Sequence, residues 1–364
     1  MKVAHFTNWA PRESGMYEST KDQVKYEQRE GLDSIFCDAN RETPLETQVD
    51  DGWFKPAPWD DAKDADVFVM HSKIPDKLKP IMREKVSVAI LHGPTEHMLL
   101  KEWMSGRKDA GFNLHINIAW TYDATVVINQ HEYDIMSLYD EKDRVHYIPN
   151  SIDLERYVSN AADLETDLGT DIPKTLDTPS YAWEYQNRPA ICTFDVGRLE
   201  KLPAHIIWSM PRIVSRIPTA RLNVFGLALE PISTFRNLFC KSKNRTLENL
   251  CENIQLKNND LRIWMRGADI VFNNNMSGIL SRVGMECQAM GIPIISYNGE
   301  YTKYKCHIWN LDEIAEEVEK CWIDLTATDS TTRQDQIDYA RENYDRGKEV
   351  KKYVSLYTEL LDKK

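Results

Sequence analysis

The segment Asp269–Asn298, DIVFNNNMSGILSRVGMECQAMGIPIISYN, most tightly limits the fold of this chain. It runs from an apolar strand pattern (DIVF) through an Asn/Ser/Gly loop into a helical pattern, and a Gly-Ile-Pro turn leads to a second strand pattern. A strand, a helix and a second strand form a βαβ unit, and such units build parallel sheets that helices cover on both faces. Because backbone N–H groups at a helix start favour a phosphate, the segment also predicts an anion site.

The first half of the chain repeats this alternation of strand and helix patterns. Short runs rich in Val, Ile and Phe are typical of strands covered on both faces, and amphipathic stretches separate them. Helical patterns occupy Asp76–Glu84 and Glu132–Tyr139, among others. The alternation predicts an α/β domain. Its predicted strands are Val3–Phe6, Ser34–Cys37, Asp66–Met70, Val86–Leu91, Thr125–Ile128 and Val145–Ile148.

The pattern lapses between Val158 and Arg188 and then starts again. That stretch is acidic and polar, shows no sustained period, and is typical of a linker or insertion. After it, strand and helix patterns alternate once more. We therefore expect two α/β domains, each with its own parallel sheet. The second series comprises strands Ala190–Asp195 and Arg221–Phe225, helix Ala204–Arg216, the βαβ segment, and helical patterns at Leu311–Ile323 and Gln334–Leu361.

Composition narrows the class of protein. The 364 residues are 42% hydrophobic and 28% charged, which fits a soluble globular chain of two domains. No run reaches the roughly 20 apolar residues of a membrane-spanning helix, and the first residues, MKVAHFTNWAP, lack the apolar core of a signal peptide. Seven cysteines without a CxxC pair indicate reduced thiols. We therefore expect a cytoplasmic protein, in a bacterium or in the cytosol of a virus-infected host.

Two residues after predicted strands are candidates for ligand contact. Gly15 lies in the loop before a charged helix, where a glycine lets a ligand approach the backbone closely; an ordinary turn explains it equally well. His92 directly follows the strand Val86–Leu91. Ligands of open α/β sheets bind at the carboxyl ends of the strands. His92 is therefore either a ligand contact or a histidine that satisfies a loop carbonyl.

Five short segments, in this order along the chain, resemble one family. They are SGMYE from Ser14, LHG from Leu91, IPNSID from Ile148, VGRL from Val196 with Lys201, and GMECQAMGIPII from Gly284. They resemble the first loop, the HD or HG element, the IPNGxD turn, the GRL…K segment and the LEAMAxGxPVI block of retaining GT-B glycosyltransferases related to family 4. The resemblance covers nearly the whole chain and extends to a divergent phage-type DNA glycosyltransferase.

The resemblance implies the GT-B fold, an α/β architecture in which two Rossmann-like domains face each other across a cleft. It makes residues 1–157 the N-terminal acceptor domain and residues 189–344 the C-terminal donor domain, with 158–188 as the linker or insertion. The C-terminal helix, at about 345–364, would return to the N-terminal domain.

The implied reaction moves a sugar from a nucleotide diphosphate to a hydroxyl group, with retention at the anomeric carbon. Fixed cations and N–H groups stabilise the charge that develops on the leaving diphosphate. Arg198 would clamp the phosphate in a bidentate way, and Lys201 would act as a point charge. Glu286 would accept hydrogen bonds from the donor ribose, His92 would contact the donor sugar, and Gly15 would lie near the diphosphate. The other implied donor-binding residues are Asn150, Gly197, Ser277, Gly278 and Ser281.

The same resemblance implies that no metal and no cofactor is required, and that the donor is a UDP- or GDP-sugar. Alternatively to these site roles, Arg198 and Lys201 are solvated loop charges and Glu286 is a charge on a helix surface.

Two departures from the family pattern bear on the site. The family commonly has a glutamate near the transferred sugar, eight residues before Glu286, where this chain has Gly278. Arg198 and Lys201 are also closer together than the usual pair, so their loop is shortened.

The implied acceptor is a saccharide or lipid-linked glycan of a cell envelope, or a hydroxymethylated base in viral DNA. We prefer the modified base, because phage α-glucosyltransferases of this fold also diverge around the missing glutamate. A DNA enzyme needs a positive rim, although the net charge of −12 disfavours nucleic acid. An envelope enzyme needs a basic amphipathic helix, which Pro75 and Pro80 interrupt. The rim would combine Lys73, Lys77, Lys79, Arg83, Lys85, Arg107 and Lys108 with Trp53, Trp59 and Trp103.

A different class of function is a catalytically silent protein that binds a sugar nucleotide. The loss of the glutamate at position 278 favours this interpretation. Turnover of any nucleotide sugar would separate an enzyme from a silent binder. The sequence leaves the oligomeric state open.

Overall fold

In the computed structural model the chain forms two α/β units, Met1–Asp153 with Tyr344–Lys364, and Leu154–Asn343. Each unit is built around one parallel sheet. The structure describes residues 1–11, 14–50, 52–93, 117–118, 121–140, 142–157, 188–194, 204–224, 251–253, 265, 267–275, 279–297, 299 and 301–364.

The first unit contains a six-stranded sheet in the order β2-β1-β3-β4-β5-β6, and all its strands are parallel. The strands are β1 (Lys2–Thr7), β2 (Asp33–Asp38), β3 (Val67–Met70), β4 (Val86–Leu91), β5 (Ala124–Val127) and β6 (Val145–Tyr147). The helices are α1 (Gly15–Arg29), α2 (Trp59–Ala62), α3 (Lys79–Met82), α4 (Gln130–Ser137) and the C-terminal α9 (Arg346–Lys363).

Alternation along these strands sorts the core into two faces, because successive side chains of a strand point to opposite sides. Phe6 and Phe68 belong to the face that α2 and α3 cover. Val69 belongs to the opposite face, where Tyr353 and Tyr357 of α9 complete the apolar cluster. The C-terminal helix is therefore part of the core of the first unit.

The second unit has a six-stranded parallel sheet in the order β12-β11-β10-β7-β8-β9. The strands are β7 (Ala190–Thr193), β8 (Arg221–Val224), β9 (Cys251–Asn253), β10 (Ile270–Asn273), β11 (Ile294–Tyr297) and β12 (Tyr304–Cys306). The helices are α5 (Ala204–Arg216), α6 (Arg282–Ala289), α7 (Leu311–Thr326) and α8 (Thr332–Asn343). The segment β10-α6-β11 is the predicted βαβ unit.

Each sheet has one place where the order of the strands reverses. In the first sheet β1 lies between β2 and β3, and in the second sheet β7 lies between β8 and β10. In open α/β sheets ligands bind outside the carboxyl ends of the strands at such a reversal. The topology therefore marks the ends of β1 and β3 in one unit, and the ends of β7 and β10 in the other, as the places to look for a site.

The predicted α/β class and the two parallel sheets are confirmed, and the differences are local. The predicted helix Asp76–Glu84 is a 3₁₀ turn, Asp76–Leu78, followed by the short α3. Pro80 lies in the first turn of α3, where its missing N–H leaves no helical hydrogen bond unmade. In the interior of one continuous helix, a proline would have removed one backbone hydrogen bond of the helix.

The predicted helical tail Gln334–Leu361 consists of two helices, α8 and α9, with Tyr344 and Asp345 between them. The N–H of Ile152 donates to the carbonyl of Tyr344 at 3.0 Å, and the N–H of Arg346 donates to the carbonyl of Ile152 at 3.3 Å. This pairing with a distant segment replaces helical hydrogen bonds and ends α8. In the described ranges no helix is both long and apolar enough to cross a bilayer.

Two helices end on a glycine in the left-handed region. Gly31 (φ +85°) follows α1 and Gly291 (φ +77°) follows α6. The N–H groups of Gly291 and Ile292 donate to the carbonyls of Gln288 and Cys287, at 2.9 and 3.0 Å. This is the Schellman arrangement, which satisfies the last carbonyls of a helix and requires a left-handed residue at the first position after the cap.

Alanine at either glycine should destabilise its unit, and the effect should be larger at Gly291. The left-handed region costs an alanine about 1 kcal/mol. A Cβ at Gly31 meets nothing within 4 Å, whereas a Cβ at Gly291 would lie 3.2 Å from the carbonyl oxygen of Arg333. Hydrogen–deuterium exchange of peptides from each unit, compared between Gly31→Ala and Gly291→Ala, measures both effects. An equal loss of protection would contradict the predicted clash with Arg333.

Candidate functional site

The carboxyl ends of β7 and β10 are tied together at the reversal point of the second sheet. β7 ends at Thr193 and β10 ends at Asn273. The hydroxyl of Thr193 donates a hydrogen bond to Oδ1 of Asn274, and both side chains are buried. The two loops that leave these strands therefore start from a fixed point.

Side-chain amides shape the loop after β10. Nδ2 of Asn273 and Nδ2 of Asn275 both donate to the carbonyl of Ile279, at 3.1 and 3.0 Å. Nδ2 of Asn273 also lies 3.3 Å from Oγ of Ser296 and 2.5 Å from Oη of Tyr301. These side-chain hydrogen bonds take the place of backbone hydrogen bonds in the loop. They hold Ile279, shortly before α6, close to the end of β10.

Asp269 fixes the amino ends of the same two strands. Its Oδ2 accepts from the N–H of Ala190 at 2.8 Å, and its Oδ1 accepts from Nη1 of Arg188 at 2.8 Å. Burial raises the pKa of this carboxyl, and the hydrogen bond from Ala190 and the charges of Arg188 and Arg333 act in the opposite direction. Asp269 therefore has a structural role.

Helix α6 starts with Ser281 as its N-cap. Its Oγ accepts from the N–H of Gly284 at 3.2 Å. Gly284 is buried, and a Cβ there would lie 2.3 Å from Cδ1 of Leu280. The Ser281 hydroxyl is engaged in capping, so an anion at this end of the helix would meet backbone N–H groups of the first turn.

Glu286 lies on the second turn of α6 and is 5% exposed. Its Oε1 accepts from Oη of Tyr157 at 2.9 Å and from Nε of Arg282 at 2.8 Å. Arg282 lies four residues earlier on the same helix face. Burying a carboxylate without such partners is strongly unfavourable. The two donors satisfy Oε1 within the second unit and fix the orientation of the carboxylate.

The two residues after Glu286 are structural. Burial raises the pKa of the Cys287 thiol well above its ordinary value, and the charge of Glu286 adds to the shift. Nε2 of Gln288 donates to the carbonyl of Tyr301 and to Oε1 of Gln336, both at 2.9 Å. On this turn of α6, Glu286 is thus the side chain suited to a ligand, and its neighbours hold the helix in place.

In the first unit, His92 directly follows β4 at the carboxyl edge of the sheet. Its Nε2 lies 2.9 Å from Nδ1 of His71, and the two rings stack with their centroids 5.2 Å apart. His71 is buried, whereas His92 is partly exposed. The contact of His92 with a sugar stays a prediction.

The turn with the sequence IPNSID follows β6 and contacts the C-terminal helix α9. Oδ1 of Asn150 accepts from the N–H of Ser151 at 3.1 Å, and Ser151 in turn donates its hydroxyl to Glu349 of α9. The backbone of Ile152 pairs with that of Asp345. The turn therefore joins α9 to the sheet of the first unit, and donor binding by Asn150 stays a prediction.

Gly15 is the first residue of α1 and is exposed. Oγ of Ser14 caps the helix by accepting from the N–H of Tyr17 at 3.4 Å. The carboxylate of Asp50 accepts from Oη of Tyr17 at 3.1 Å and from Nζ of Lys21 at 2.6 Å. These contacts fix the start of α1 and leave Gly15 at its surface, where the sequence predicted a helix start.

The structure places the predicted site residues in two groups. Ser281 and Glu286 lie together on α6 of the second unit, and Gly15, His92 and Asn150 lie in the first unit. Among the described residues, no group of three or more His, Cys, Asp or Glu side chains could hold a metal ion. The other predicted site residues lie outside the described residues: Gly197, Arg198, Lys201, Ser277 and Gly278.

Sequence reasoning missed the partners of Glu286 and His92. The pairing of Arg282 with Glu286 could have been predicted from the sequence, because opposite charges four residues apart on a helix form a pair. Tyr157 is 129 residues from Glu286, and no local pattern connects them. His71 follows β3 just as His92 follows β4, so the signal that selected His92 also applied to His71.

Comparisons with known proteins identify the fold. No protein-family model and no curated protein sequence matches the chain. Several solved structures match it from end to end. Sucrose-phosphate synthase from Thermosynechococcus elongatus is 11% identical, with 100% of both chains covered and a TM-score of 0.72.

Two further matches are structures with bound nucleotide. HepE from Anabaena in complex with UDP-glucose is 14% identical, with 99% of this chain and 100% of HepE covered and a TM-score of 0.68. The pneumococcal O-GlcNAc transferase GtfA in complex with UDP and GlcNAc is 10% identical, with 99% of both chains covered and a TM-score of 0.64. These matches show that the chain has the GT-B fold of glycosyltransferases.

Proposed function

We propose that the protein is a retaining glycosyltransferase that moves a sugar from a nucleoside diphosphate to a hydroxyl group of a saccharide. We prefer UDP to GDP as the nucleotide of the donor. The observation that carries the proposal is Glu286, a buried carboxylate that Tyr157 and Arg282 hold on α6, the helix that follows β10. The GT-B fold supports it, and so do HepE and GtfA, which are solved with UDP-glucose and with UDP and GlcNAc.

Glu286 is suited to bind the ribose of the donor. Two neighbouring hydroxyl groups donate two hydrogen bonds, and a carboxylate accepts them without a competing donor. Tyr157 and Arg282 already orient Oε1, so that binding a ribose would not have to order this side chain. Ionic hydrogen bonds of this kind contribute about 1.5–3 kcal/mol each.

The diphosphate of the donor is assigned to the start of α6 and to the loop after β7. N–H groups in the first turn of a helix attract an anion, and α6 begins directly after the loop that leaves β10. Arg198 and Lys201, next to Gly197, supply the cations that stabilise the leaving group. The resemblance assigns Ser277 and Gly278 to donor binding as well.

In the first unit we assign the sugar contact to His92 and a backbone approach to the diphosphate to Gly15. His92 lies at the carboxyl edge, and Gly15, which itself has no side chain, lies exposed at a helix start. Asn150 is the weakest member of the set, since its side chain already accepts from Ser151 within the turn.

The proposed step needs no protein base. The bond between the anomeric carbon and the diphosphate oxygen breaks, and the acceptor oxygen bonds to that carbon from the same face. The leaving diphosphate takes the proton of the acceptor hydroxyl and departs as a nucleoside diphosphate. Residues that face the diphosphate then stabilise the transition state more than the ground state, which raises the rate of the chemical step.

Two lysines of the predicted basic rim are engaged in ion pairs, and this supports a saccharide over DNA as the acceptor. Nζ of Lys77 lies 2.5 Å from Glu42, and Nζ of Lys79 lies 2.6 Å from Asp76. Trp59 is partly buried against a core cluster, whereas Trp53 is exposed. Paired lysines release fewer counterions on binding a polyanion. Other members of the rim lie outside the described residues: Trp103, Arg107 and Lys108.

A panel of donors and acceptors tests the proposal. UDP- and GDP-sugars would be incubated with the full chain and with saccharides, unmodified DNA or hydroxymethylcytosine DNA, and the products read by mass spectrometry. We expect a hexose-sized mass increase on a saccharide with a UDP-sugar. Sugar added only to modified DNA would overturn the saccharide acceptor. Binding of a nucleotide sugar without hydrolysis or transfer on any acceptor would show a silent binder instead.

Replacing Arg198 with alanine should lower turnover at least about tenfold, because a donor that stabilises the leaving charge is lost. Arg198→Lys should fall between wild type and Arg198→Ala, since lysine keeps the charge but loses the bidentate contact. Arg216→Ala is the matched control, because Arg216 forms exposed pairs with Glu316 and Glu319. Turnover of Arg198→Ala close to that of the control would reject the clamp.

A further inference from the structure

The strand β6 forms one edge of the first sheet. In the described part of the chain it pairs with β5 and with no strand on its other side. A groove of about 710 Å³ runs along this open edge, between α4 and α9. We call it the β6 groove. The described residues that line it include Tyr133 of α4, Val145, His146 and Tyr147 of β6, and Lys351 and Lys352 of α9.

The two walls of the β6 groove differ, because successive side chains of a strand point to opposite sides. Val145 belongs to the apolar cluster against which Tyr133 of α4 packs. Tyr147 faces the same side, and its ring centroid lies 6.4 Å from that of Tyr133. Ile148 belongs to the cluster that α9 completes, so that His146 also faces α9. The groove therefore has an aromatic wall on the side of α4 and a second wall formed by α9.

The backbone of β6 presents hydrogen-bonding groups to the groove. The carbonyl of Arg144 and the N–H of Ile148 bond to β5, at 2.8 and 3.1 Å. In a strand the backbone groups of alternate residues point to opposite neighbours, so those of Val145 and Tyr147 point to the open edge. The N–H of Val145 donates to Oδ2 of Asp140 at 2.7 Å. No backbone hydrogen bond within the described ranges uses the carbonyl of Val145 or either backbone group of Tyr147.

The charges of the groove leave its α9 side positive. Lys351 and Lys352 are exposed, and neither forms an ion pair with a described residue. The carboxylate of Glu359, which also lines the groove, pairs with Lys363 at 2.6 Å. Burial lowers the pKa of His146, so its ring is neutral at pH 7. An occupant with negative charge therefore fits this wall better than a neutral or positive one.

The positive charge lies towards the carboxyl end of β6. α9 runs opposite to the strands, because it begins beside the turn after β6 and ends beside Lys85, which precedes β4. Lys351 and Lys352, in the second turn of α9, therefore lie nearer to Tyr147 than to the start of β6. The carboxylate of Asp140 lies at that start. A carboxylate of an occupant is favoured beside Tyr147 and disfavoured beside Asp140.

We propose that the β6 groove binds an extended, acidic segment of a partner polypeptide as an additional strand of the first sheet. Such a strand pairs with the backbone groups of Val145 and Tyr147, and its side chains alternate between the two walls. Apolar side chains face the aromatic wall, and carboxylates face Lys351 and Lys352. The partner segment is thus defined by alternating acidic and apolar residues. The inference does not depend on glycosyl transfer.

A partner polypeptide uses both features of the groove, and other occupants use one of them. A second copy of the chain, related by a two-fold axis, would bring its own Lys351 and Lys352 to the same edge. Like charges there oppose pairing, and lysines beside an open strand commonly prevent it. An anionic membrane surface would attract the lysines, but it offers no ordered N–H and C=O groups to the backbone of Tyr147.

Titration of the full, ¹⁵N-labelled chain with a short peptide tests the proposal without turnover. The probe has three glutamates alternating with two valines, and its ends are acetylated and amidated to remove the terminal charges. We expect a saturable shift of the Tyr147 amide resonance and slower hydrogen exchange of that amide. The amide of His146, which faces β5, should exchange as before. No saturable binding at about millimolar peptide would overturn the proposal.

Two further peptides separate strand addition from attraction between charges. The first carries N-methyl groups on its inner amides, so that it loses backbone donors and keeps every charge. It should bind at least about fivefold more weakly, the effect of one lost hydrogen bond. The second has the same composition with glutamates and valines in separate blocks, and it should also bind more weakly, because carboxylates would face the aromatic wall. Equal binding of all three peptides would show recognition of charge and not of an added strand.

Tyr147→Pro and Tyr147→Val test the edge from the side of the protein. Both remove the aromatic ring, but only proline removes the N–H that points to the groove. Because that N–H makes no hydrogen bond to β5, proline leaves the pairing within the sheet intact. Tyr147→Pro should bind the alternating peptide at least about fivefold more weakly than Tyr147→Val. Equal affinities would reject strand addition; if Tyr147→Pro fails to fold, the N-methylated peptide makes the same comparison on wild type.

Reversal of charge tests the α9 wall. Lys351→Glu combined with Lys352→Glu should weaken binding of the alternating peptide about tenfold or more, and a peptide with lysines in place of glutamates should become the better ligand. Lys305→Glu, at an exposed lysine of the second unit, is the matched control and should bind like wild type. Unchanged affinity of the double variant would reject recognition of an acidic partner.

Two other occupants are outcomes of the same experiments. Binding of wild type to vesicles of phosphatidylcholine and phosphatidylglycerol, lost in the double lysine variant and accompanied by no peptide binding, would assign the groove to a membrane surface. A dimer in analytical ultracentrifugation that Tyr147→Pro abolishes would assign the edge to a second copy. Either result would overturn the proposal. The peptide titration uses no nucleotide sugar, so failure of the proposed glycosyl transfer would leave its result unaffected.

Discussion

Arg346→Ala should destabilise the first unit by about 3–5 kcal/mol, the usual cost of removing one partner of a buried ion pair. Arg346 is 1% exposed. Its Nη1 lies 2.5 Å from Oε2 of Glu349, and its Nη2 donates to Oγ of Ser19 at 3.0 Å and to the carbonyl of Ser151 at 2.5 Å. Alanine would leave the carboxylate of Glu349 buried without its cation and would loosen α9.

Two matched variants make this expectation specific. Arg346→Met combined with Glu349→Leu removes both charges, and should recover much of the stability because no buried charge is left alone. Arg216→Ala removes an exposed arginine and should change stability far less. Denaturant unfolding, with hydrogen–deuterium exchange of α9 peptides, measures all three. A loss in Arg346→Ala no larger than in Arg216→Ala would contradict the buried pair as the anchor of α9.

Glu286→Gln should weaken binding of a nucleoside diphosphate about 10- to 100-fold, which corresponds to one or more ionic hydrogen bonds. Tyr157 and Arg282 both donate to Oε1, so the amide oxygen should take that place. The amide nitrogen would then replace Oε2, and it does not accept a hydrogen bond from a ribose hydroxyl. The shape of the side chain is kept, so that a loss of affinity reports the acceptor.

The ribose itself provides the control for this expectation. Wild type should bind UDP more tightly than 2′-deoxy-UDP, and Glu286→Gln should lose most of that preference in calorimetric titrations. Tyr157→Phe should reduce affinity less, because it removes one orienting hydrogen bond and leaves the carboxylate. If Glu286→Gln kept the full preference for UDP, the carboxylate would not contact the 2′-hydroxyl.

The strands and α6 were predictable because local patterns determine them. Runs such as Val86–Leu91 are apolar on both faces, which is what a covered parallel strand requires. Glu286 stood out because a charge on the apolar side of a helix needs a reason. Gly291-Ile-Pro marked the end of α6 for the same local reason, a left-handed position after the cap.

The contacts of His71 with His5 and His92 were not predictable from the same patterns, because they depend on the register between strands. His5 alternates with apolar residues and resembles an ordinary core position. The approach of His5 and His71 follows only from the pairing of His5 with Val69 and the two-residue step to His71. The contact between Tyr157 and Glu286 likewise spans 129 residues and depends on the packing of the second unit.

The break between α8 and α9 shows the same limit. Gln334–Leu361 has a sustained helical pattern, and the local signal at the break is Asp345, whose Oδ1 caps α9 by accepting from the N–H of Gly347 at 2.8 Å. The stop comes from the backbone of Ile152, which pairs with the carbonyl of Tyr344 and the N–H of Arg346. Hydrogen bonds with a segment far away in sequence outweigh the local helical preference there.

The consumption of UDP-glucose by the full chain, followed by proton magnetic resonance with a saccharide acceptor, tests whether the protein is a retaining glycosyltransferase. We expect UDP and a new glycosidic anomeric signal to appear in equal amounts, and the signal to have the α configuration of the donor. We also expect a much slower reaction in Glu286→Gln. A β-configured product would contradict retention, and tight binding without any loss of UDP-glucose would contradict the proposed transferase.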